Sequence, residues 1–427
     1  MNYGQALEYL ASLNKFGINL GLARIEKLLS LMQHPERRYR TLHVTGTNGK
    51  GSTSAMLAAV CQAAGIKTGL YTSPHLESYT ERMAVNGQNI SEQQFAQAIS
   101  YTRRFVEQMV AQGEEHPTEF EVLTAAAFYY FAAAGVEYAV IEVGLGGLLD
   151  STNVITPAVA VITNVALEHT DRCGNTISEI ARHKAGIIKE GVPVITAADN
   201  EALKVIEDTA KTKKAPLRVL GRDFEASFAG LDNNAQSFRL KSREYGDLGL
   251  FTLNLLGRHQ IANGAVAAMA ALTLSQTEPR ITLDVVRKGL AAARWPARFE
   301  IFPGRPLTIV DGAHNPAGAQ VLRSTLDEVF PGRPVNFVFG ALRDKDFRGI
   351  IRALIRSCDK VVVVSPPSER AAAAEDIARE ITARHVETAV DIAGAIARAQ
   401  ELAGPEGIVC VAGSLYLAGP ARAVLAK

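Results

Sequence analysis

From Thr41 to Ala64 three things follow one another without a gap: an apolar, β-branched run (Thr41–Thr45), a turn punctuated by Gly46, Gly49 and Gly51, and a helical run (Ser52–Ala64). A strand that passes this abruptly into a helix belongs in a parallel sheet, with its turn at the carboxyl edge. The glycines let the backbone curl with N–H groups pointing inward. The helix adds the positive end of its dipole, so the turn is a phosphate cradle. Lys50 is spaced to reach outer phosphate oxygens, and Ser52 brings a hydroxyl near an accompanying Mg²⁺. The spacing departs from the ordinary Walker A pattern, because Gly51 separates the lysine from the hydroxyl and the first two glycines stand closer together.

Strand and helix patterns alternate beyond this point. Strands are predicted at Lys67–Tyr71, Tyr138–Val143, Ala158–Val165 and Val192–Thr196, with helices at Ser91–Gln112 and Glu119–Ala134. Such alternation implies a mainly parallel sheet covered on both faces. Between Leu217 and Leu256 the period shortens to two, which predicts a small antiparallel patch, and a helix follows at Gln260–Ser275. Helical patterning stops near Trp295-Pro296, and Pro303, Gly304 and Pro306 mark a break. A second α/β series starts there, with strands Leu307–Val310, Val335–Phe339, Lys360–Val364 and Ile408–Val411 and helices Ala319–Val329 and Ala372–Ala383. Residues 1–296 are therefore expected to form one α/β domain and residues 297–427 a second, Rossmann-like one. A chain of 427 residues is too long for a single core.

Composition narrows the function. A formal net charge of +1 provides no global field for nucleic acid or an anionic membrane, and the arginines at 37, 38 and 40 read as a local solvated face. Four cysteines, none in a C-x-x-C pair, speak against a zinc site or a disulfide framework and suit a reducing compartment. The first fifteen residues lack a basic-then-apolar signal layout, and Ala125–Gly135 is too short to span a bilayer. A cytoplasmic, monomeric protein acting on small molecules is expected.

In an open parallel sheet ligands sit beyond the carboxyl ends of the strands. Ser73 follows the strand ending at Tyr71, Glu142 stands at the end of the next apolar run, and His169 follows the one after. All three are expected on the rim that carries the phosphate turn, as oxygen and nitrogen ligands for Mg²⁺ beside a triphosphate. A second glycine-dense turn, Gly144-Leu145-Gly146-Gly147, comes directly after Glu142. Lys184 closes a helical stretch, where residue physics alone would leave it solvated. In the second half, Asp311 and His314 follow a strand and suit ribose hydroxyls and an anion, with helix capping as the plain alternative for the aspartate. The charged loop Arg343–Asp346 and the turn Gly413-Ser414 also stand at strand ends.

The ordered series of motifs is more specific than any one of them. Thr45 to Ser52, Thr72-Ser73-Pro74-His75-Leu76 with Glu81-Arg82, and Phe120-Glu121 come first. Glu142 to Gly147, Glu168-His169-Thr170 and Lys184 to Lys189 follow, then Asp311 to Pro316 and Gly413 to Tyr416. Together they resemble the folylpolyglutamate synthase and dihydrofolate synthase family of the Mur ligase superfamily. The resemblance implies a P-loop-containing Mur-type ATPase domain followed by a glutamate ligase domain, and a reaction in which ATP drives L-glutamate onto folate or dihydropteroate. It implies that Gly49, Lys50, Gly51 and Ser52 hold the phosphates, with Asn263, Arg298 and Asp311 completing the nucleotide site. It also implies that Ser73, Glu142 and His169 bind Mg²⁺, that Lys184 is carbamylated, and that Lys50, Lys184 and His314 act in catalysis. Arg82, Phe120, Glu121, Lys345 and Ser414 are implied on the substrate side. Leu148 departs from the pattern, since the family carries an arginine there. Two rivals remain at this level. A cell-wall Mur ligase would be expected to carry more chain before the phosphate turn, and a degenerate ATP-binding paralogue would be expected to have lost Lys50, Glu142, His169 or Lys184.

Overall fold

The structure is a computed structural model that describes residues 1–427 apart from His169, Asn233, Asn234 and Lys427, and apart from the side chain of Asp171. The chain forms two compact units. One comprises residues 1–230, 237–253 and 261–293, the other residues 231–236, 254–260 and 294–427.

An eight-stranded sheet forms the frame of the first unit. Its strands are β1 (Arg40–Thr45), β2 (Thr68–Tyr71), β3 (Met83–Val85), β4 (Gln88–Asn89), β5 (Tyr138–Glu142), β6 (Val159–Ile162), β7 (Val194–Thr196) and β8 (Leu217–Val219). They lie in the order β4-β3-β2-β5-β1-β6-β7-β8. From β2 to β8 every pairing is parallel, and the β3–β4 ribbon adds an antiparallel edge. The residues of β5 are buried throughout, as a strand covered on both faces requires. A separate three-stranded sheet, β11-β10-β9, follows in the chain, built from β9 (Phe224–Asp232), β10 (Ala235–Ser242) and β11 (Gly246–Leu253).

Local chemistry sets the helices that matter for the site. Helix Glu119–Ala134 starts at a capping box in which Thr118 and Glu121 satisfy each other's backbone amides, and it stops at Gly135 with φ 65°. It packs Phe128 and Phe131 into a core shared with Tyr71, Phe95 and Ile141, each burial contributing about 2–3 kcal/mol. Gly69 in β2 makes room for Phe131, since a Cβ there would meet that ring at 2.9 Å. Helix Lys50–Ala63 begins at Gly49. Helix Leu283–Ala292 lies directly against it, because Gly289 lets the backbone approach: an added Cβ would stand 2.4 Å from Val60 Cα.

The second unit has a six-stranded sheet ordered β12-β13-β17-β14-β15-β16. Its strands are β12 (Glu300–Phe302), β13 (Leu307–Val310), β14 (Asn336–Phe339), β15 (Lys360–Val363), β16 (His385–Thr388) and β17 (Ile408–Ala412). Only the β12–β13 pair is antiparallel. Among the described residues no helix is long and apolar enough to cross a membrane.

The predicted elements are present with ends shifted by a few residues in either direction. Two differences matter. The strand predicted to run to Val165 ends at Ile162, and the next residues form a loop with work of its own. The helix predicted over Ala372–Ala383 is only Ala374–Arg379.

Candidate active site

The register of the first sheet brings the key segments to one rim. Val44 in β1 pairs with Glu142 in β5, Thr45 pairs with Ile162 in β6, and Tyr71 in β2 pairs with Ile141. The turns starting at Gly46, Thr72, Val143 and Thr163 therefore leave the sheet side by side. Gly46 (φ 152°) and Gly49 (φ 84°) hold conformations that side chains rarely adopt. Both are also crowded. A Cβ on Gly46 would lie 1.8 Å from Thr163 Oγ1, and one on Gly49 would lie 2.4 Å from Asn263 Oδ1. Asn263 is thus in place against the phosphate turn.

The segment after β6 laces onto that turn. Asn48 N donates to Asn164 Oδ1 at 2.9 Å, Thr47 N donates to Asn164 O at 2.9 Å, and Thr163 Oγ1 donates to Asn48 O at 2.7 Å. Ala166 N donates to Thr47 Oγ1 at 2.9 Å. Thr163 and Asn164 hold the cradle's shape, yet nothing in their local sequence marks them. Their only sequence signal is position at a strand's carboxyl end.

Lys50 Nζ donates to Gly46 O and Thr47 O, both at 3.0 Å, so the ammonium is held over the curl of the turn. Ser52 is buried in the first turn of the helix. Ser73 N donates to Glu142 Oε2 at 3.3 Å, which puts a serine hydroxyl group and a carboxylate on neighbouring residues of one rim. Hydroxyl and carboxylate oxygens are the donors that Mg²⁺ prefers, so these residues fit the ion. His169, the third expected ligand, lies outside the described residues.

The second glycine turn closes over the same rim. Thr45 Oγ1 donates to Gly146 O at 2.7 Å. Gly147 (φ 158°) sits on the last turn of helix Ile177–Ala185, where a Cβ would meet His183 O at 2.7 Å and Lys184 Cα at 3.2 Å. Lys184 is buried, which corrects the expectation of a solvated helix-end lysine. Burial, with Lys50 adding repulsion, pushes its ammonium down to about 7, and Glu168 and Cys173 oppose that shift only in part.

Beside this rim is a cavity of about 280 Å³ whose lining includes Ile18, Leu20, Ser73, Arg82, Phe120 and Leu145. The ring of Phe120 lies on Gly144, where a Cβ would come within 2.4 Å of Cζ. Arg82 donates through Nε to His75 Nδ1 at 2.9 Å and lies over the Tyr79 ring. Burial and the Arg82 charge lower His75 to about 4, so it stays a neutral acceptor for that bond. Glu121 does not line the cavity wall. Its carboxylate is buried, accepting from Thr118 N at 2.7 Å and from Arg24 Nε at 3.1 Å. Leu148 and Leu149 stand exposed at the end of the glycine turn.

Within the second unit, Arg298 sits between Ala297 and Phe299, which both hold positive φ (53° and 47°). Left-handed backbone at two non-glycine residues costs about 1 kcal/mol or more each, a strain characteristic of functional positions. Asp311 fastens the segment by accepting Phe299 N and Ala313 N, each at 2.8 Å. Burial raises the Asp311 carboxyl above its usual range, although Arg298 pulls the other way. His314 shares a 2.8 Å hydrogen bond between Nδ1 and Gly312 O, in which a carbonyl can only accept, so Nδ1 carries the proton. Asp344 pairs with Arg370 and Asp346 caps helix Phe347–Leu354, while Lys345 is half-buried and makes no ion pair among the described residues. Ser414 is buried as the N-cap of helix Leu415–Leu425.

Comparison with known proteins covers both units. The Mur ligase middle domain matches residues 44–272, and the Mur ligase glutamate ligase domain matches residues 297–415. The dihydrofolate synthase/folylpolyglutamate synthase of Bacillus subtilis (strain 168) is 36% identical over 428 residues, covering 98% of each chain. The folylpolyglutamate synthase of Lacticaseibacillus casei is 37% identical over 429 residues, covering 100% of this chain and 99% of its own. Among solved structures, Mycobacterium tuberculosis folylpolyglutamate synthase complexed with ADP superposes with a TM-score of 0.89 at 32% identity, over 100% of this chain and 99% of that one. A resemblance first carried by scattered motifs thus extends along the full length of sequence and backbone, and the chain belongs to the folylpolyglutamate synthase/dihydrofolate synthase family of Mur ligases.

Proposed function

We propose that the chain is an ATP-dependent amide ligase that joins L-glutamate to a folate or dihydropteroate acceptor. The observation that carries this reading is the Lys50 ammonium held over a glycine cradle next to the Ser73–Glu142 pair. A carboxylate acylates poorly because its leaving group would be oxide. Transfer of the γ-phosphoryl group from ATP to the acceptor carboxylate makes an acyl phosphate, whose leaving group is phosphate. The amine of glutamate then attacks the acyl carbon. The tetrahedral intermediate collapses to amide and phosphate, with loss of the amine proton.

The chain's own groups act mainly by positioning and by offsetting charge. The phosphates rest on the turn Gly49 to Ser52 and against Asn263, and Lys50 offsets charge on the moving phosphoryl group. Mg²⁺ held by Ser73, Glu142 and His169 would neutralise phosphate oxygens. The cavity beside Phe120 takes the flat ring of the acceptor by stacking, with Arg82 at its edge. Lys184 suits carbamylation: an amine titrating near 7 is substantially neutral at pH 7, so its lone pair can attack CO₂ and leave a carboxylate after losing a proton. We assign Arg298 and Asp311 to the nucleotide and His314, Lys345 and Ser414 to glutamate on the family pattern, with residues 1–296 as the ATP domain and 297–427 as the glutamate ligase domain. A monomeric, cytoplasmic enzyme is part of the same proposal.

The test supplies purified protein with ATP, Mg²⁺ and glutamate, and with either dihydropteroate or tetrahydrofolate. ADP release that requires both acceptor and glutamate, with a product heavier by one glutamyl residue, is expected, and Lys50→Ala should abolish it. ADP release indifferent to glutamate would point to the paralogue reading. Turnover with a UDP-muramyl acceptor alone would point to a cell-wall ligase.

A further inference from the structure

A hydrogen-bonded chain runs from the middle of the first unit's sheet to the floor of the acceptor cavity. It begins at His43, fully buried in β1. His43 Nε2 lies 2.9 Å from Thr152 Oγ1, and that hydroxyl donates to Asp150 Oδ1 at 2.6 Å. Asp150 Oδ1 also takes Thr152 N at 3.0 Å, and its Oδ2 takes Leu145 N at 2.8 Å. In return Asp150 N donates to Gly147 O at 3.1 Å. Both ends of the Gly144–Gly147 turn are therefore tied to one buried aspartate, and Gly144, Leu145 and Asp150 all line the cavity.

Counting donors decides the direction of the chain. A hydroxyl has one hydrogen, and Thr152 gives it to a carboxylate oxygen. Its lone pair must then accept from His43, which places the imidazole proton on Nε2. His43 Nδ1 is sealed from solvent and has no partner among the described residues. A proton on Nδ1 would leave an unpaired buried donor there and two facing acceptors at Thr152, each a costly defect. The ring's tautomer and the direction of the hydroxyl thus fix each other, and the hydroxyl delivers its one hydrogen to the aspartate.

We propose that His43 is a positioning residue for the acceptor: through Thr152 it orients the Asp150 carboxylate that pins the glycine turn, and so it shapes the cavity floor. The proposal rests on the assignment of that cavity to the acceptor. The test measures kcat and KM for acceptor and for ATP in His43→Leu, His43→Gln and Thr152→Val, together with ¹⁵N-histidine NMR of the unmutated protein, His43 being identified by its loss in His43→Gln. Removing one buried hydrogen bond of the chain should raise acceptor KM roughly tenfold while ATP KM stays within about twofold. His43→Gln, whose amide nitrogen reaches the same point, should recover most of the loss. The NMR should show the Nε2–H tautomer. Folded variants with unchanged acceptor KM, equal rises in both KM values, or an Nδ1–H tautomer would overturn the proposal. If His43→Leu does not fold, Thr152→Val and the tautomer still decide it. Absence of glutamate-dependent turnover in the unmutated protein would count against the ligase reading instead, leaving the tautomer to judge the hydrogen-bond chain.

Discussion

Gly46→Ala isolates the reason for the phosphate cradle's glycines. At φ 152° an alanine is strained by about 1–3 kcal/mol. Its Cβ would overlap Thr163 Oγ1 at 1.8 Å and crowd Thr163 Cβ at 3.0 Å and Asn164 N at 3.2 Å. The hydroxyl has to leave, which breaks its 2.7 Å bond to Asn48 O at a cost of about 1 kcal/mol. Residual crowding against the Asn164 backbone adds about 1 kcal/mol more. The sum, about 3–5 kcal/mol, is a large share of a domain's stability and should lower the first unit's melting temperature by on the order of 10 °C. Because the displaced segment also holds Thr47 and Asn48, ADP release should fall at least about a hundredfold. Thermal unfolding read by circular dichroism and a coupled ADP assay measure the two effects. Adding Thr163→Ala removes the worst overlap and should return part of the lost stability, giving a coupling energy of about 1 kcal/mol in a double-mutant cycle. Gly46→Ala with unchanged melting and unchanged ADP release would refute the reasoning.

Three further outcomes follow from the same geometry. Lys184 titrates near 7 rather than its ordinary 10.5, so between these values the unfolded chain binds the proton better; burial therefore costs stability near pH 7 and the loss is recovered as pH rises towards 10.5. In CO₂-free buffer at pH 7, Lys184→Met should melt above the unmutated protein and lose activity, with the melting gap closing at high pH; equal melting at pH 7 would contradict this. Gly144→Ala places a Cβ within 2.4 Å of Phe120 Cζ and should turn the ring, raising acceptor KM up to about tenfold with ATP KM unchanged; steady-state kinetics with each substrate varied checks it, and an unaltered acceptor KM would refute it. In the second unit, buried Asp359 accepts Val335 N and Arg356 N and faces Arg323, so Asp359→Ala should cost about 3–5 kcal/mol in urea unfolding, and a loss below about 1 kcal/mol would count against a structural role for that carboxylate.

Much of the rim proposed as the active site was legible before the fold. Strand ends can be read from β-branched runs, and in a parallel sheet those ends share an edge, so Ser73 and Glu142 could be set beside the phosphate turn. The resemblance also named Asn263, which the structure puts against Gly49. Glu121 was set on the substrate side by the resemblance alone, and in the structure, as the third residue after Thr118, it completes a capping box whose S/T-x-x-E spacing was available in the sequence. Thr163 and Asn164 had no such spacing to betray them, because their partners Thr47 and Asn48 lie far off in the chain.

The order of strands and helices, and the places where only glycine can turn the backbone, were determined by the sequence alone, since steric limits on φ and the period of apolar residues are local properties. The burial of Lys184, the contact of Asn263 with Gly49 and the link from His43 to the glycine turn were decided only by tertiary structure. Each depends on which distant segments come to surround a group. An amine's proton affinity follows from the water it has lost and the charges it faces, and neither is a property of the residue itself.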